Sequence, residues 1–148
     1  MLDQLEALYR AKLPEFRRVA AAIAGDRELG RDAVQEAFAK AVRGRRSYRG
    51  AGTLEAWVWR IVVNAARDAR RRRPVPGEPL EAGANGSGPV LALDLLTDRQ
   101  REIVFLRYYA DLDYAAIAEA LAISPGTVGA TLNAARRTLR QALQEVQA

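Results

Sequence analysis

The sequence predicts an all-α protein made of two small helical bundles joined by a flexible Pro/Gly linker, the second bundle being a helix-turn-helix. Three observations carry this. Apolar residues recur at three- and four-residue steps through every long segment, and no segment alternates convincingly as a strand would. Residues 74–89 include Pro74, Pro76, Gly77, Pro79, Gly83, Gly86, Ser87, Gly88 and Pro89, a composition that cannot sustain a helix. Past residue 90, two short helical segments and a longer one are separated by breaks, one of them with Ser124 and Pro125 side by side. The division is therefore 1–73, a linker over 74–89, and 90–148.

Each element has its own reason. Between Leu2 and Ala24, the residues Leu5, Leu8, Tyr9, Leu13, Phe16, Val19, Ala20 and Ile23 form one apolar stripe. Pro14 should disturb this helix as a kink or as the first turn of a second one, and Gly25-Asp26 ends the pattern. A second helix is expected over 29–43, with Ala33, Ala37 and Ala41 on one side and Val34, Phe38 and Val42 nearby. Residues 44–52 are rich in Arg and Gly and read as a loop. Thr53 can cap a third helix over 54–72, with Trp57, Ile61 and Ala65 inward. Thr97 and Gln100 make a capping-box pattern, Asp113 caps the next helix, and Ser124 the last, with Pro125 at the first helical position, where no amide hydrogen is needed.

Composition excludes several function classes. The 148 residues contain no cysteine and no histidine, which rules out disulfides, thiolate metal sites and imidazole chemistry. No nucleophile–base set can be assembled and no phosphate-loop or metal spacing occurs, so the chain reads as neither an enzyme nor a cofactor binder. No apolar run is long enough to span a bilayer and the first residues do not resemble a signal peptide, which favours a cytoplasmic protein with no membrane partner. The net charge of +5 is segregated. Residues 1–73 hold 17 Lys+Arg against 9 Asp+Glu, net +8, and residues 74–148 hold 6 against 9, net −3. A basic half favours a polyanion through counterion release, nucleic acid above all.

Three constellations stand out. In the helix-turn-helix, Val128, Leu132, Ala135 and Leu139 should pack, while Gly126, Gly129, Ala130 and Asn133, flanked by Thr127 and Thr131, face DNA. That face is poor in long donors; Asn133 could read an adenine edge, and Arg136, Arg137 and Arg140 suit phosphates. The segment 43–73 interleaves Arg43, Arg45, Arg46, Tyr48 and Arg49 with Trp57, Trp59, Arg60, Asn64, Arg67, Asp68 and an arginine run at 70–73, the cations and aromatic surface a single strand requires. Trp57 is assigned to the core and Trp59, beside Arg60, to partial exposure. Asp32, Gln35 and Glu36 form an acidic patch on the basic half, either a solvated face or a docking surface.

Together these segments resemble the short two-domain sigma factors of bacterial RNA polymerase, the extracytoplasmic-function (ECF) group of the sigma-70 family. Residues 32–38 (DAVQEAF) are similar to the family's polymerase-binding helix, 57–71 (WVWRIVVNAARDARR) to its promoter-melting helix, and 96–101 with 115–143 to its C-terminal helix-turn-helix domain. The resemblance implies a promoter-recognition subunit with core RNA polymerase and promoter DNA as partners and an anti-sigma factor as a further candidate. The polymerase would be bound through Asp32, Val34, Gln35 and Glu36. The minus-ten strand would be captured by Arg46, Tyr48, Arg49, Trp59, Arg60, Asn64, Arg67, Asp68 and Arg71. The minus-thirty-five duplex would be met by Ser124, Thr127, Gly129, Ala130, Thr131, Asn133, Arg136 and Arg137. The linker would run toward the RNA exit path, with Glu78 and Glu81 imitating nucleic-acid charge. Two features depart from the family pattern: small residues at 129–131, where basic or polar ones are usual, and a short linker of modest acidity. The competing readings are a stand-alone helix-turn-helix regulator, which would dimerise on half-sites, and a sigma-like interaction module without promoter activity.

Overall fold

The computed structural model describes residues 1–50, 52–72, 93 and 95–147, and all its regular structure among them is helical. Six α-helices follow in order: α1 (Leu2–Ala24), α2 (Arg27–Arg43), α3 (Leu54–Arg71), α4 (Asp98–Tyr108), α5 (Tyr114–Leu121) and α6 (Pro125–Gln147), with a 3₁₀ turn at Arg45–Ser47. The expected linker at 74–89, with Glu78 and Glu81, lies outside the described residues. No single helix among the described residues is long and apolar enough to cross a membrane.

The caps read from sequence set most of the boundaries. Thr53 Oγ1 accepts from the Ala56 amide at 3.1 Å, Asp113 Oδ1 from Ala116 at 2.8 Å, and Ser124 Oγ from Thr127 at 3.1 Å. Thr97 and Gln100 satisfy each other's amides reciprocally at 3.1 and 3.0 Å. Each such cap stabilises its helix by about 1 kcal/mol. Asp26 also caps: its carboxylate accepts from Leu29, so α2 begins at Arg27, two residues before the start expected from the apolar pattern. At the end of α1, Gly25 takes the left-handed conformation at φ 80° and donates to Ala21 O, a C-cap in a conformation that most side chains resist.

Pro14 does not break α1. It removes one amide donor and crowds a carbonyl one turn earlier. Leu5 before it and Phe16, Val19 and Ala20 after it are all buried in the same core, and that burial favours a continuous helix through Pro14.

Helices α1, α2 and α3 pack mutually into a first bundle, and α4, α5 and α6 into a second. In the first core Phe16 lies between Phe38 (ring centroids 5.2 Å apart) and Trp59 (4.3 Å), and Tyr9 meets Phe38 edge-on. In the second, Ile103, Leu106, Ile117, Val128 and Leu132 are fully buried. The bundles also pack on each other, α3 against α5 and α1 against α4, so one hydrophobic core runs through both. The close approach of α1 and α2 depends on Gly30, where an added methyl would collide with the Ala21 backbone.

Candidate nucleic-acid interface

Helix α3 carries two different faces. One comprises Val58, Trp59, Val62, Val63, Ala65 and Ala66, all buried. The other repeats at helical spacing as Trp57, Arg60, Asn64, Asp68 and Arg71. Arg60, Asn64 and Arg71 are exposed; Trp57 and Asp68 are half-buried. This corrects the assignment of Trp59; Trp57 is half-buried and packs against the core's edge. Trp59 is 0 % exposed, and its ring packs on Phe16 while its indole N–H donates to Glu55 at 3.3 Å; it can touch no nucleic acid. Trp57 instead lies on the polar row, 5.5 Å from the Tyr48 ring. The signal was present in the sequence: Trp59, Val62, Val63 and Ala66 are apolar at spacings of three, four and seven, whereas Trp57 shares its row with Asn64 and Asp68.

The loop before α3 continues that row. Arg46 and Arg49 are exposed, and the Tyr48 hydroxyl donates to Gly52 O at 2.7 Å, fixing the ring over Trp57. Arg71 is paired with Asp68. Arg67 is different. Its Nη2 and Nε bind Glu102 of α4 at 2.5 and 2.9 Å, and Glu102 is only 6 % exposed. Donation to the Glu102 carboxylate raises the guanidinium pKa against the lowering effect of burial. Arg67 is therefore a bridge between bundles here, and its fork is already occupied. No sequence pattern marks Glu102 as its partner, because the two are 35 positions apart.

On α2, Asp32, Gln35 and Glu36 are exposed and Glu36 pairs with Lys40 at 3.1 Å. Val34, placed with them on sequence, is 1 % exposed and belongs to the core, since the helix turns it to the side of Ala37, Phe38 and Ala41.

In the second bundle α5 and α6 meet at 102° across the turn at 122–124, within the range of a helix-turn-helix. Ala122 closes α5 in the left-handed region at φ 58°, donating to Ala118 and Glu119 carbonyls. Val128, Leu132 and Ala135 are buried, while Ser124, Pro125, Gly126, Thr127, Ala130, Asn133 and Arg137 are exposed. Gly129 and Thr131 are half-buried; the Tyr114 ring lies at ordinary contact distance from where a side chain at Gly129 would begin. Ser124 and Thr127 share a further hydroxyl hydrogen bond at 2.9 Å. Arg136 donates to the Tyr108 hydroxyl at 3.0 and 2.8 Å, which raises its pKa and directs it along α4. Among the described residues no group of three acidic side chains converges as a metal site would need.

Both candidate surfaces are therefore open to solvent although the bundles are packed together. Polar contacts that join the bundles include Arg67–Glu102, Arg70–Asp98 at 3.4 Å and Arg18 over the Tyr109 ring at 5.3 Å, and the Glu119 carboxylate of α5 lies against Gly52 in the loop before α3.

Two family models match the chain, sigma-70 region 2 over residues 8–74 and sigma-70 region 4 over residues 90–139. Among curated proteins, the ECF RNA polymerase sigma-E factor of Escherichia coli strain K12 is 32 % identical over 139 residues, covering 76 % of this chain and 73 % of that protein. The RNA polymerase sigma factor SigV of Bacillus subtilis is 28 % identical over 137 residues, covering 85 % and 82 %. The fold is shared with the sigma factor RpoE from Bartonella quintana, solved with the anti-sigma factor NepR. That match has a TM-score of 0.78 at 22 % identity and covers 97 % of this chain and 98 % of that one.

Proposed function

Because this chain belongs to the extracytoplasmic-function group of the sigma-70 family, we propose a division of labour between its two bundles. The protein is a sigma factor, the subunit that directs RNA polymerase to promoters. The first bundle captures the unwound minus-ten strand on Arg46, Tyr48, Arg49, Trp57, Arg60, Asn64, Asp68 and Arg71. Trp57 replaces the buried Trp59, and Arg67 joins only when its pair with Glu102 opens. Core polymerase docks on Asp32, Gln35 and Glu36. The second bundle lies on the minus-thirty-five duplex through Ser124, Thr127, Ala130, Thr131, Asn133 and Arg137, with Gly129 allowing close approach and Arg136 a further phosphate ligand. Anti-sigma binding is a further part of the proposal, by likeness to the NepR-bound neighbour. These steps take place in the cytoplasm, require no cofactor and involve no catalysis by this chain.

The observation that carries the reading is the polar row of α3 beside an aromatic loop. Trp57 and Tyr48, their rings 5.5 Å apart and tilted by 46°, offer aromatic surface to a base, and Arg60 one turn before Asn64 and Arg71 two turns after it neutralise phosphates. Taking a base out of the stack costs a few kcal/mol, offset by stacking and hydrogen bonds in the receiving pocket.

Run-off transcription with purified core polymerase on a genomic promoter library tests it. The expected result is promoter-dependent transcript from the reconstituted enzyme, lost when Asn64 and Trp57 are both replaced by alanine while core binding persists. Full transcription by that double variant would remove the minus-ten assignment. Failure of the wild-type chain to bind core polymerase would favour the stand-alone regulator.

A further inference from the structure

A cleft of about 320 Å³ lies between the bundles, beside the minus-ten surface, with which it shares Arg71 and, when its pair opens, Arg67. Five guanidiniums line it, from Arg67, Arg70 and Arg71 on α3 and Arg99 and Arg101 on α4. Among the described residues two carboxylates share the walls, and both are committed. Glu102 is held by the fork of Arg67. Asp98 serves two cations at once, with its Oδ1 3.4 Å from Arg70 and 3.5 Å from Arg101. Arg99 is left over: its Nη1 is buried and has no hydrogen-bond partner among the described residues.

A buried donor on a charged group with no acceptor is rare and costly, and in a native fold it marks a missing acceptor. The excess of positive charge says what kind. Guanidinium forks match phosphate oxygens in geometry as well as in sign. The volume falls at the lower end of the range for small-molecule sites. The geometry points to a binding site for a small polyphosphate, a diphosphate or triphosphate group either free or carried by a nucleoside, held by Arg99 from the second bundle and Arg70 from the first, with Arg101, whose Nε and Nη2 already donate to the Leu93 and Leu96 carbonyls, adding its charge. Such a ligand touches both bundles, so its binding strengthens their packing. None of these three arginines belongs to either DNA face.

Calorimetric titration of the full chain with pyrophosphate, at constant ionic strength, tests this, with parallel arms using tripolyphosphate, GTP and sulfate. One saturable site per chain and a rise of a few degrees in melting temperature are expected, with no comparable shift from sulfate. Arg99→Gln should weaken pyrophosphate at least about ten-fold, the loss of one charge-assisted contact, with its fold checked by circular dichroism. Should that variant unfold, arginine Nε–H spectra of the wild-type chain decide: pyrophosphate must shift Arg70, Arg99 and Arg101 and leave Arg137 unmoved. Tighter GTP than pyrophosphate binding identifies a nucleoside-borne group, and equal binding a free one; either supports the site. The proposal is overturned by the absence of saturable binding in the low-millimolar range, by wild-type affinity in Arg99→Gln, or by arginine shifts spread over the whole chain. Displacement of pyrophosphate by single-stranded DNA with matching shifts at Arg99 also overturns it, by assigning the cleft to the DNA track.

Discussion

The two bundles solve the problem of meeting DNA differently. On α3 a buried apolar row and an exposed polar row share one helix, and the exposed row carries long cations, an amide and an aromatic ring. On α6 the buried stripe of Val128, Leu132 and Ala135 faces a surface of glycine, alanine, threonine and one asparagine, with arginines only later in the helix. The first surface can hold an irregular strand by charge and stacking; the second can lie close to a regular duplex but has few groups to distinguish bases. On the proposed assignment, most of the recognition chemistry is concentrated in the first bundle, and the second contributes shape. Its acids have a second use, since Asp98 and Glu102 face Arg70 and Arg67 across the interface. The opposite net charges of the two halves, which in sequence point only to a polyanion, also join the bundles.

The sharpest test of the two-row reading of α3 sets its tryptophans against each other. Trp59→Ala should destabilise the fold by about 4 kcal/mol through loss of buried area and the cavity left against Phe16. Chemical denaturation measures this; a cost below about 1 kcal/mol would mean Trp59 is not the core residue of this bundle.

Next in size is the joint between bundles. Glu102→Ala leaves Arg67 partly buried and unpaired, and should cost about 3 kcal/mol in the same assay, near the low end for a buried pair because the Arg67 side chain retains 28 % exposure. Restoring stability by adding Arg67→Met would show that the stranded charge is the cause. An unchanged midpoint in Glu102→Ala would mean the bundles are not held together by this pair.

Smaller still, and on binding instead of folding, Trp57→Ala should change stability by less than about 1 kcal/mol yet lower affinity for a minus-ten single strand about ten-fold, the worth of one stacked base. Fluorescence anisotropy with labelled strand reads this directly. If Asn133→Ala in α6 produced an equal loss on duplex DNA, the contrast between a chemically rich and a chemically poor surface would fail.

The smallest effect concerns the turn. Ala122 sits in the left-handed region, where its Cβ is crowded, so Ala122→Gly should raise stability by about 0.5 kcal/mol, the strain relieved less the added chain entropy. A thermal melt that falls instead would place the cost of the turn elsewhere.

Much of this was legible beforehand, for reasons that differ by residue. Thr53, Thr97, Asp113 and Ser124 act on amides three positions away, so their caps are local facts that sequence records. The stripe of α1 is likewise local, and what it could not tell was that the core would hold Pro14 inside a continuous helix. Trp59 is harder to read because both tryptophans look apolar; they project about 200° apart, on nearly opposite faces of α3, and packing against Phe16 buries Trp59 completely while Trp57 stays half-buried at the core's edge.

By itself the sequence determined the helices, their caps, the segregation of charge and the family, because periodicity, capping chemistry and ordered motifs act over a few residues at a time. Tertiary structure alone decided that Glu102 takes the Arg67 fork, that Val34 and Trp59 are fully buried while Trp57 packs only at the core's edge, and that Arg99 is stranded in a cationic cleft. Those outcomes depend on which helix faces which across tens of residues, and burial and pairing at that range are settled by packing, not by neighbours in the chain.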